Sequence, residues 1–340
     1  MSKAPIVSVL MPVHNGERYL ASAVASILGQ TFDDFELLIV DDGSTDASAD
    51  IACAGDDSRV RYIRRAHAGL VATLNAGLAL ARGRYIARMD ADDIALPTRL
   101  ERQVAFLDEH PDIDIAGSFI AVIDGDDNVV DKWHVPCSPD WLARRVALHP
   151  PFAHPSVMMR REVIADRGYP DVPHAEDYAL WLSLADRARF ANVPEVLLHY
   201  RRHEASVSTR HNTTQDSNSD AVRRAFWQTR PTINAAKYDA AAAVQRLFDA
   251  ERRLLGHDNA TPRLRNQLIE DALAEAQFAL AYGRPDIGRA RLKEIAYLAG
   301  ARSWRLIERM QPLLGFSTIW NLASRLPRTA PRSAAVAHRR

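Results

Sequence analysis

Four short apolar segments, each followed by a helical pattern, constrain the fold of this chain more than any other feature. Strands are predicted over Ile6–Val13, Phe35–Val40, Val60–Arg64 and Tyr85–Met89, where β-branched and apolar residues run almost without polar interruption. Apolar residues recur at helical spacing after each of them. Strand alternating with helix in this way predicts an α/β fold, with a mostly parallel sheet covered by helices on both faces.

The alternation ends near Ile113, where strands and loops follow one another. Further strands are predicted over Ile113–Ile123, Val129–Val135, Ser156–Met159 and Phe190–Tyr200, so the complete sheet should be mixed. One helix is predicted between the last two strands, because four apolar residues recur at positions i, i+3, i+4 and i+7: Tyr178, Trp181, Leu182 and Ala185.

A polar run over residues 211–220 predicts a domain boundary. Residues 1–210 then form the α/β domain. Residues 211–325, rich in Ala, Leu and Arg, form a C-terminal α-helical region with apolar stripes between residues 244 and 298. The basic, Pro-containing tail over 326–340 is expected to be poorly ordered.

Composition and charge narrow the functional class. Lys plus Arg and Asp plus Glu both number 43 among 340 residues, and this balance argues against a nucleic-acid partner. The two cysteines show no metal-binding spacing, which favours free thiols in a reducing compartment. No apolar run approaches the length of a membrane span, so a cytoplasmic protein is expected, with peripheral membrane contact left open.

Acidic clusters follow the second and fourth strands. They are Asp41-Asp42-Gly43-Ser44 and Asp90-Ala91-Asp92-Asp93. In open parallel sheets, ligands bind in the crevice at the carboxyl ends of the strands. The two clusters therefore predict a ligand site at that edge.

The cluster of Asp90, Asp92 and Asp93 indicates a divalent cation. Three neighbouring carboxylates repel one another unless a cation lies among them, and hard oxygen ligands suit Mg²⁺ or Mn²⁺. A solvated acidic turn is the alternative. A phosphatase-type nucleophilic Asp is disfavoured, because Ile94 stands where that motif carries a hydroxyl residue.

Two further acidic positions have both a functional and a structural interpretation. Asp42 suits a contact with a nucleobase or ribose, or it serves a turn and helix cap in which Ser44 or Thr45 caps the next helix. Glu176 and Asp177 complement the dipole at a helix start, or one of them is a general base. Gly-rich phosphate fingerprints do not occur, so the cation would handle the phosphates.

Three segments together resemble family 2 glycosyltransferases of GT-A fold. They are Val7–Leu20 (VSVLMPVHNGERYL), Ser26–Asp46 with its FELLIVDDGSTD end, and Tyr85–Ile94 (YIARMDADDI). The resemblance extends over about residues 5–205. It also includes His154–Arg160, the Glu176-Asp177 pair and Tyr200–His203 with Ser206 and Ser208.

The resemblance implies a role for each matching residue. Asp42 would hold the nucleobase, with Pro12 and Glu17 lining the same pocket. Asp92 and Asp93 would supply the metal and ribose contacts, with Asp90 beside them on the nucleotide-sugar.

The same resemblance assigns the remaining candidates. Asp177 would be the catalytic base, supported by Glu176. His154 would serve the acceptor, and His203 the phosphate or metal. A structural hydrogen bond is the alternative for either histidine.

The implied activity is an inverting transfer of a sugar, with UDP-hexose favoured, to a hydroxyl on a glycan or lipid-linked glycan. The cofactor would be Mn²⁺ or Mg²⁺, and the setting cell-envelope polysaccharide or lipopolysaccharide synthesis. The chain lacks the Gln-x-x-Arg-Trp motif of processive synthases, so a single-addition enzyme is expected.

The basic C-terminus could touch anionic lipid. A sugar-phosphate nucleotidyltransferase and a non-catalytic sugar- or partner-binding module are the alternatives.

Overall fold

A computed structural model describes residues 4–133, 150–203 and 212–228, with isolated positions between 134 and 149. The chain divides into two compact units, residues 1–231 and 232–340. The second unit, with the predicted helical stripes after residue 244 and the basic tail, lies outside the described residues.

Nine strands and seven α-helices occur within the described residues. The strands are β1 Val7–Val13, β2 Phe35–Asp41, β3 Val60–Arg64, β4 Tyr85–Arg88, β5 Ile94–Ala95, β6 Ile115–Ile123, β7 Val129–Trp133, β8 Met158–Arg160 and β9 Phe190–Arg201. The helices are α1 Leu20–Leu28, α2 Ser48–Ala52, α3 Leu70–Leu80, α4 Arg99–Glu109, α5 Arg161–Ile164, α6 Glu176–Leu184 and α7 Asn212–Gln228, with a 3₁₀ turn over His154–Ser156.

The strands form one mixed sheet in the order β3-β2-β1-β4-β8-β6-β9-β5, with β7 paired to β6. The first four are parallel, as the alternating pattern predicts. Strand β8 then runs antiparallel to both β4 and β6. The predicted α/β fold with a mostly parallel, mixed sheet is confirmed.

Helices cover both faces because side chains alternate along each strand. On β1, Val9 and Met11 pack with α1 and α4 on one face, whereas Leu10 packs with α3 and α6 on the other. All three side chains are fully buried. This two-sided burial explains why the first strands read as continuous apolar runs.

The register of the strands brings the acidic clusters to one edge. Val13 at the end of β1 pairs with Asp41 at the end of β2. The two-residue strand β5 follows the second cluster and pairs antiparallel with β9, with Ile94 opposite His199. The loop containing Asp90, Asp92 and Asp93 is thereby held against the carboxyl end of β9.

Helix α7 begins at Asn212 within the polar run, and its Val222 packs against the core. The domain boundary in this run stays a prediction. One detail differs from the sequence predictions. Ser44 and Thr45 do not cap α2, which begins at Ser48. The Ser44 hydroxyl instead accepts a hydrogen bond from the Asn15 amide at 2.9 Å.

Candidate active site

Hydrogen bonds join the loop after β1 to the loop after β2. The Gly16 amide donates to Ser48 Oγ at 2.9 Å, and the Glu17 amide donates to Asp46 Oδ2 at 3.0 Å. The exposed Glu17 carboxylate accepts from the Ala47 amide at 3.1 Å. Pro12 is buried in β1 opposite Val40. Glu17 therefore supports the loop that carries Asp42, and Pro12 lies beneath it.

Asp42 is almost completely enclosed by the loop after β3. It is 4% exposed, and its carboxylate accepts from the Ala68 amide at 2.8 Å and the Gly69 amide at 2.9 Å. Burial raises the pKa of Asp42, but hydrogen bonds from Ala68, Thr73 and Gly69 outweigh burial, and the pKa is lowered. Gly43 permits the close approach of the loop after β3. It has φ of +75°, and a Cβ there would lie 2.9 Å from the backbone nitrogen of His67.

Two exposed histidines flank Asp42. The rings of His14 and His67 stack with centroids 4.4 Å apart. His67 Nδ1 lies 2.9 Å from Asp42 Oδ2, and His14 Nδ1 lies 2.9 Å from the Asp42 carbonyl oxygen. The sequence reasoning gave neither histidine a role. Together they provide a flat aromatic surface beside a carboxylate.

The carboxylates of Asp90, Asp92 and Asp93 form a cluster at the end of β4, with one oxygen from each within 4.8 Å of the others. Asp93 is fully buried. Its Oδ1 accepts from the Arg201 amide at 2.8 Å, whereas its Oδ2 has no donor among the described residues. Burial, then Asp90 and Asp92, raise the pKa of Asp93 well above its ordinary value.

The end of β9 supplies the other side of this cluster. His203 Nε2 lies 3.0 Å from Asp92 Oδ2, and Arg201 Nε donates to the Asp92 carbonyl at 2.7 Å. His203, assigned by resemblance to phosphate or metal, thus lies beside the carboxylate cluster. The nearby imidazole and one oxygen from each of the three carboxylates form a ligand set suited to a divalent cation.

Arg88 is a buried cation that sequence reasoning missed. It is 2% exposed and forms an ion pair with Asp90. Its Nε has no hydrogen-bond acceptor among the described residues. A charged residue inside the apolar strand β4 was the available signal, since a buried charge is rare without a partner.

Glu176 and Asp177 begin helix α6. Glu176 is 6% exposed, and burial, followed by repulsion from Asp177, raises its pKa to about 7. Burial also raises the pKa of Asp177 against the hydrogen bond from the Tyr178 amide. Both carboxylates interact electrostatically with Arg88 and Asp90, which connects this pair to the cluster after β4.

His154 has a structural partner. Its Nε2 lies 2.9 Å from the Tyr169 hydroxyl, and its ring lies edge-on to Trp181. Burial lowers the pKa of His154 well below the ordinary value, and Arg88 lowers it further. His154 is therefore a neutral imidazole whose hydrogen bond orients Tyr169.

Comparison with known proteins agrees with this architecture. Residues 8–168 match the model of glycosyl transferase family 2. An uncharacterized glycosyltransferase of Haemophilus influenzae is 30% identical over 238 residues, 66% of this chain and 74% of that protein. The putative glycosyltransferase EpsE of Bacillus subtilis is 35% identical over 234 residues, which cover 66% of this chain and 83% of that protein. The O-antigen biosynthesis glycosyltransferase WbnJ of Escherichia coli is 32% identical over 209 residues, which cover 59% of this chain and 82% of that protein.

Among solved structures, S. aureus TarS 1-349 in complex with UDP-GlcNAc is similar in fold. It superposes with a TM-score of 0.56 at 20% identity, covering 85% of this chain and 88% of that one.

The mixed sheet with helices on both faces has the GT-A fold. The chain belongs to glycosyl transferase family 2. This membership favours the predicted transferase over a nucleotidyltransferase or a non-catalytic module. Each helix that the structure describes is too short or too polar to cross a membrane.

Proposed function

We propose that this glycosyltransferase moves a sugar, with inversion, from a nucleotide diphosphate sugar to an acceptor hydroxyl, and that it depends on a divalent cation. One observation carries the proposal. Three carboxylates converge at the ligand edge of the sheet, and a buried oxygen of Asp93 lacks any donor among the described residues. A cation would offset this repulsion and would also attract a diphosphate.

The region around Asp42 is the proposed nucleobase site. Its carboxylate is the proposed acceptor for an N–H of a base, in addition to the amides of Ala68 and Gly69, which donate to different oxygens. The stacked rings of His14 and His67 offer a surface for base stacking. A base with a ring N–H, such as uracil, fits this acceptor. UDP-hexose is the favoured donor, and the fold shared with the TarS–UDP-GlcNAc complex is consistent with it.

Asp90, Asp92, Asp93 and His203 would hold Mn²⁺ or Mg²⁺. The bound cation would act as a Lewis acid on the diphosphate oxygens and stabilise the leaving charge. Asp92 has the most direct part, because it is half-buried and already contacts His203. Arg201 fixes the backbone of this loop through the Asp92 carbonyl.

Asp177 is the proposed general base. It removes the proton of the acceptor hydroxyl while the acceptor oxygen bonds to the anomeric carbon. The bond from that carbon to the diphosphate oxygen breaks, and its electron pair leaves with the diphosphate. A single displacement without a protein nucleophile inverts the anomeric carbon. The raised pKa of Asp177 increases its basicity toward a hydroxyl proton.

Glu176 and Arg88 interact with this base. Asp177 repels Glu176 and raises the pKa of Glu176, whereas Arg88 favours the ionised form of both carboxylates. The acceptor is proposed to be a glycan or lipid-linked glycan in cell-envelope polysaccharide synthesis. Similarity to WbnJ, described as an O-antigen biosynthesis enzyme, supports that setting. His154 would act on the acceptor side through Tyr169.

The test is a thermal-shift panel of UDP-, GDP- and dTDP-sugars with Mn²⁺, Mg²⁺ or EDTA. A donor at about 100 times its Kd should stabilise the protein by ~2.7 kcal/mol, and only with the cation. The donor that stabilises is then incubated with candidate acceptors, and NMR of the product reads the anomeric configuration. Retention of configuration would exclude the inverting mechanism, and stabilisation in EDTA equal to that in Mn²⁺ would exclude the cation.

A further inference from the structure

A cavity with several arginines in its lining lies at the opposite edge of the sheet from the acidic clusters. It has a volume of about 410 Å³ and is lined by Ala4, Pro5, Ile6, Arg82, Arg84, Arg160, Arg161 and Glu162. Residues 4–6 precede β1 and Arg82 and Arg84 precede β4, so the cavity lies at the amino ends of the parallel strands. Four arginines and one carboxylate line it.

The arginines come from two segments that the sheet holds together. Tyr85 pairs with Arg160 across β4 and β8, and the Arg161 amide donates to the Arg84 carbonyl at 2.9 Å. Arg161 Nε donates to the Gly83 carbonyl at 2.8 Å. The convergence of the four cations is therefore built by backbone pairing rather than by flexible side chains alone.

Arg160 and Arg161 are oriented by neutral groups. Arg160 donates to the carbonyls of Ile113 at 2.9 Å and Leu107 at 2.7 Å, and to the Tyr85 hydroxyl at 3.3 Å. Among the described residues, neither arginine forms an ion pair with a carboxylate. Carbonyl contacts direct a guanidinium without cancelling its charge.

The other two arginines have counter-charges that only partly balance the site. Arg84 forms an ion pair with Asp108, and Arg82 forms one with Glu36 at 2.7 Å. Glu36 is shared with Arg61, which contacts it at 2.6 Å. The cavity therefore keeps an excess of positive charge beside donors that remain half exposed.

We propose that this cavity binds a phosphate-bearing anion, a role separate from the transfer reaction. Guanidinium groups match phosphate oxygens in fork geometry, and several converging arginines favour a ligand with more than one anionic oxygen. The volume admits a diphosphate or a phosphodiester headgroup. A soluble phosphate compound and an anionic lipid present the same chemistry, so the experiment has one arm for each.

The soluble arm uses isothermal titration of inorganic diphosphate into the full-length chain in EDTA, which removes cation-dependent binding at the acidic edge. The R84Q/R161Q variant should bind at least tenfold more weakly, since both side chains are exposed and their loss should spare the fold. The matched control R102Q/R189Q removes two exposed, ion-paired arginines elsewhere and should bind like wild type. R161Q alone should give an intermediate loss.

The lipid arm uses flotation with phosphatidylcholine vesicles, with and without phosphatidylglycerol. The C-terminal tail is kept in every variant, so a difference reports on the cavity. Diphosphate binding that R84Q/R161Q loses assigns a soluble anion, and phosphatidylglycerol-dependent flotation that it loses assigns a headgroup. Absence of both interactions in wild type, or equal binding by wild type and R84Q/R161Q, overturns the proposal. D92N should leave both readouts unchanged, so failure of the transferase mechanism is distinguished from failure of this site.

Discussion

Two groups of carboxylates lie at the same edge of the sheet but differ in how the protein satisfies them. After β2, the Asp41 carboxylate accepts hydrogen bonds from the Ser44 amide at 2.8 Å and the Tyr62 hydroxyl at 2.5 Å. The Asp42 carboxylate accepts hydrogen bonds from two backbone amides. The pKa values of both are lowered even though burial alone raises them. After β4, a buried oxygen of Asp93 has no donor among the described residues, and its pKa is raised.

The difference teaches that strand-end aspartates are not interchangeable. Neutral donors already stabilise the charge of Asp42, so its proposed contact with an N–H group of the base does not require a cation. In the cluster of Asp90, Asp92 and Asp93, the buried Oδ2 of Asp93 lacks such a donor among the described residues, so a positive charge nearby would favour the ionised form. Arg88 supplies one such charge at Asp90. The predictions below test this division of roles, from the largest expected effect to the smallest.

Removing the proposed base should have the largest effect. We expect D177N to lower kcat by ~10²–10⁴-fold, because a general base typically contributes this factor. Donor affinity should stay within about twofold of wild type. Steady-state kinetics with the donor identified by thermal shift measures the rate, and D171N, an exposed neighbour, is the matched control. Wild-type turnover by D177N would remove this residue from the mechanism.

Removing the buried guanidinium of Arg88 should destabilise the protein more than removing an arginine near the carboxylates that follow β2. We expect R88M to lower the free energy of unfolding by about 3 kcal/mol, because it leaves the half-buried Asp90 without its partner. R88K should recover part of this loss. The comparison variant is R64M, which removes an exposed arginine near the already satisfied Asp41 and should cost less than about 1 kcal/mol. Urea unfolding in EDTA measures all three, and equal losses in R88M and R64M would contradict the distinction.

Changing Asp42 should weaken nucleotide binding without altering its cation dependence. We expect D42N to reduce nucleoside diphosphate affinity about tenfold, since one hydrogen bond to a charged group is worth roughly 1.5–3 kcal/mol. The ratio of affinities with and without Mn²⁺ should match wild type. Isothermal titration in both conditions reads this ratio. Loss of the Mn²⁺ effect in D42N would place this residue in the cation site instead.

The raised pKa of Glu176 predicts a pH effect on stability. Burial, followed by repulsion from Asp177, raises the pKa of Glu176 from its ordinary value of 4.5 to about 7. Between these pH values the folded state binds more protons than the unfolded chain. The contribution of Glu176 to the free energy of unfolding therefore falls as pH rises. We expect E176Q to remove a fall on the order of 2 kcal/mol across this window. Urea unfolding at pH 5 and pH 7.5 in EDTA compares the variant with wild type. Identical pH slopes would contradict the raised pKa.

The sequence predicted the parts of the fold that local patterns control. Continuous apolar runs located β1 to β4, because strands buried on both faces need no polar alternation. The position of Asp90, Asp92 and Asp93 at a strand end followed from the same pattern. Helix α7 lies within the region over 211–325 that was predicted to be helical. Its packing through residues such as Val222 could not be predicted, because the polar start of this helix resembles a loop.

Contacts between distant segments could not be predicted from local patterns. The loop that encloses Asp42 lies 26 residues further along the chain, and the contact of His203 with Asp92 spans 111 residues. Arg88 was visible as a charge in an apolar strand, yet its partner depended on how β4 ends. Family resemblance suggested His203 for the site but could not supply its distance to Asp92.

Cation-dependent nucleotide binding tests the central claim most directly. Isothermal titration of UDP, GDP and dTDP into wild type and D92N, each with Mn²⁺ and with EDTA, measures it in one series. We expect at least one nucleotide to bind wild type tenfold or more tightly with Mn²⁺, and D92N to lose that difference. Equal affinity of wild type for every nucleotide in Mn²⁺ and in EDTA would contradict the account.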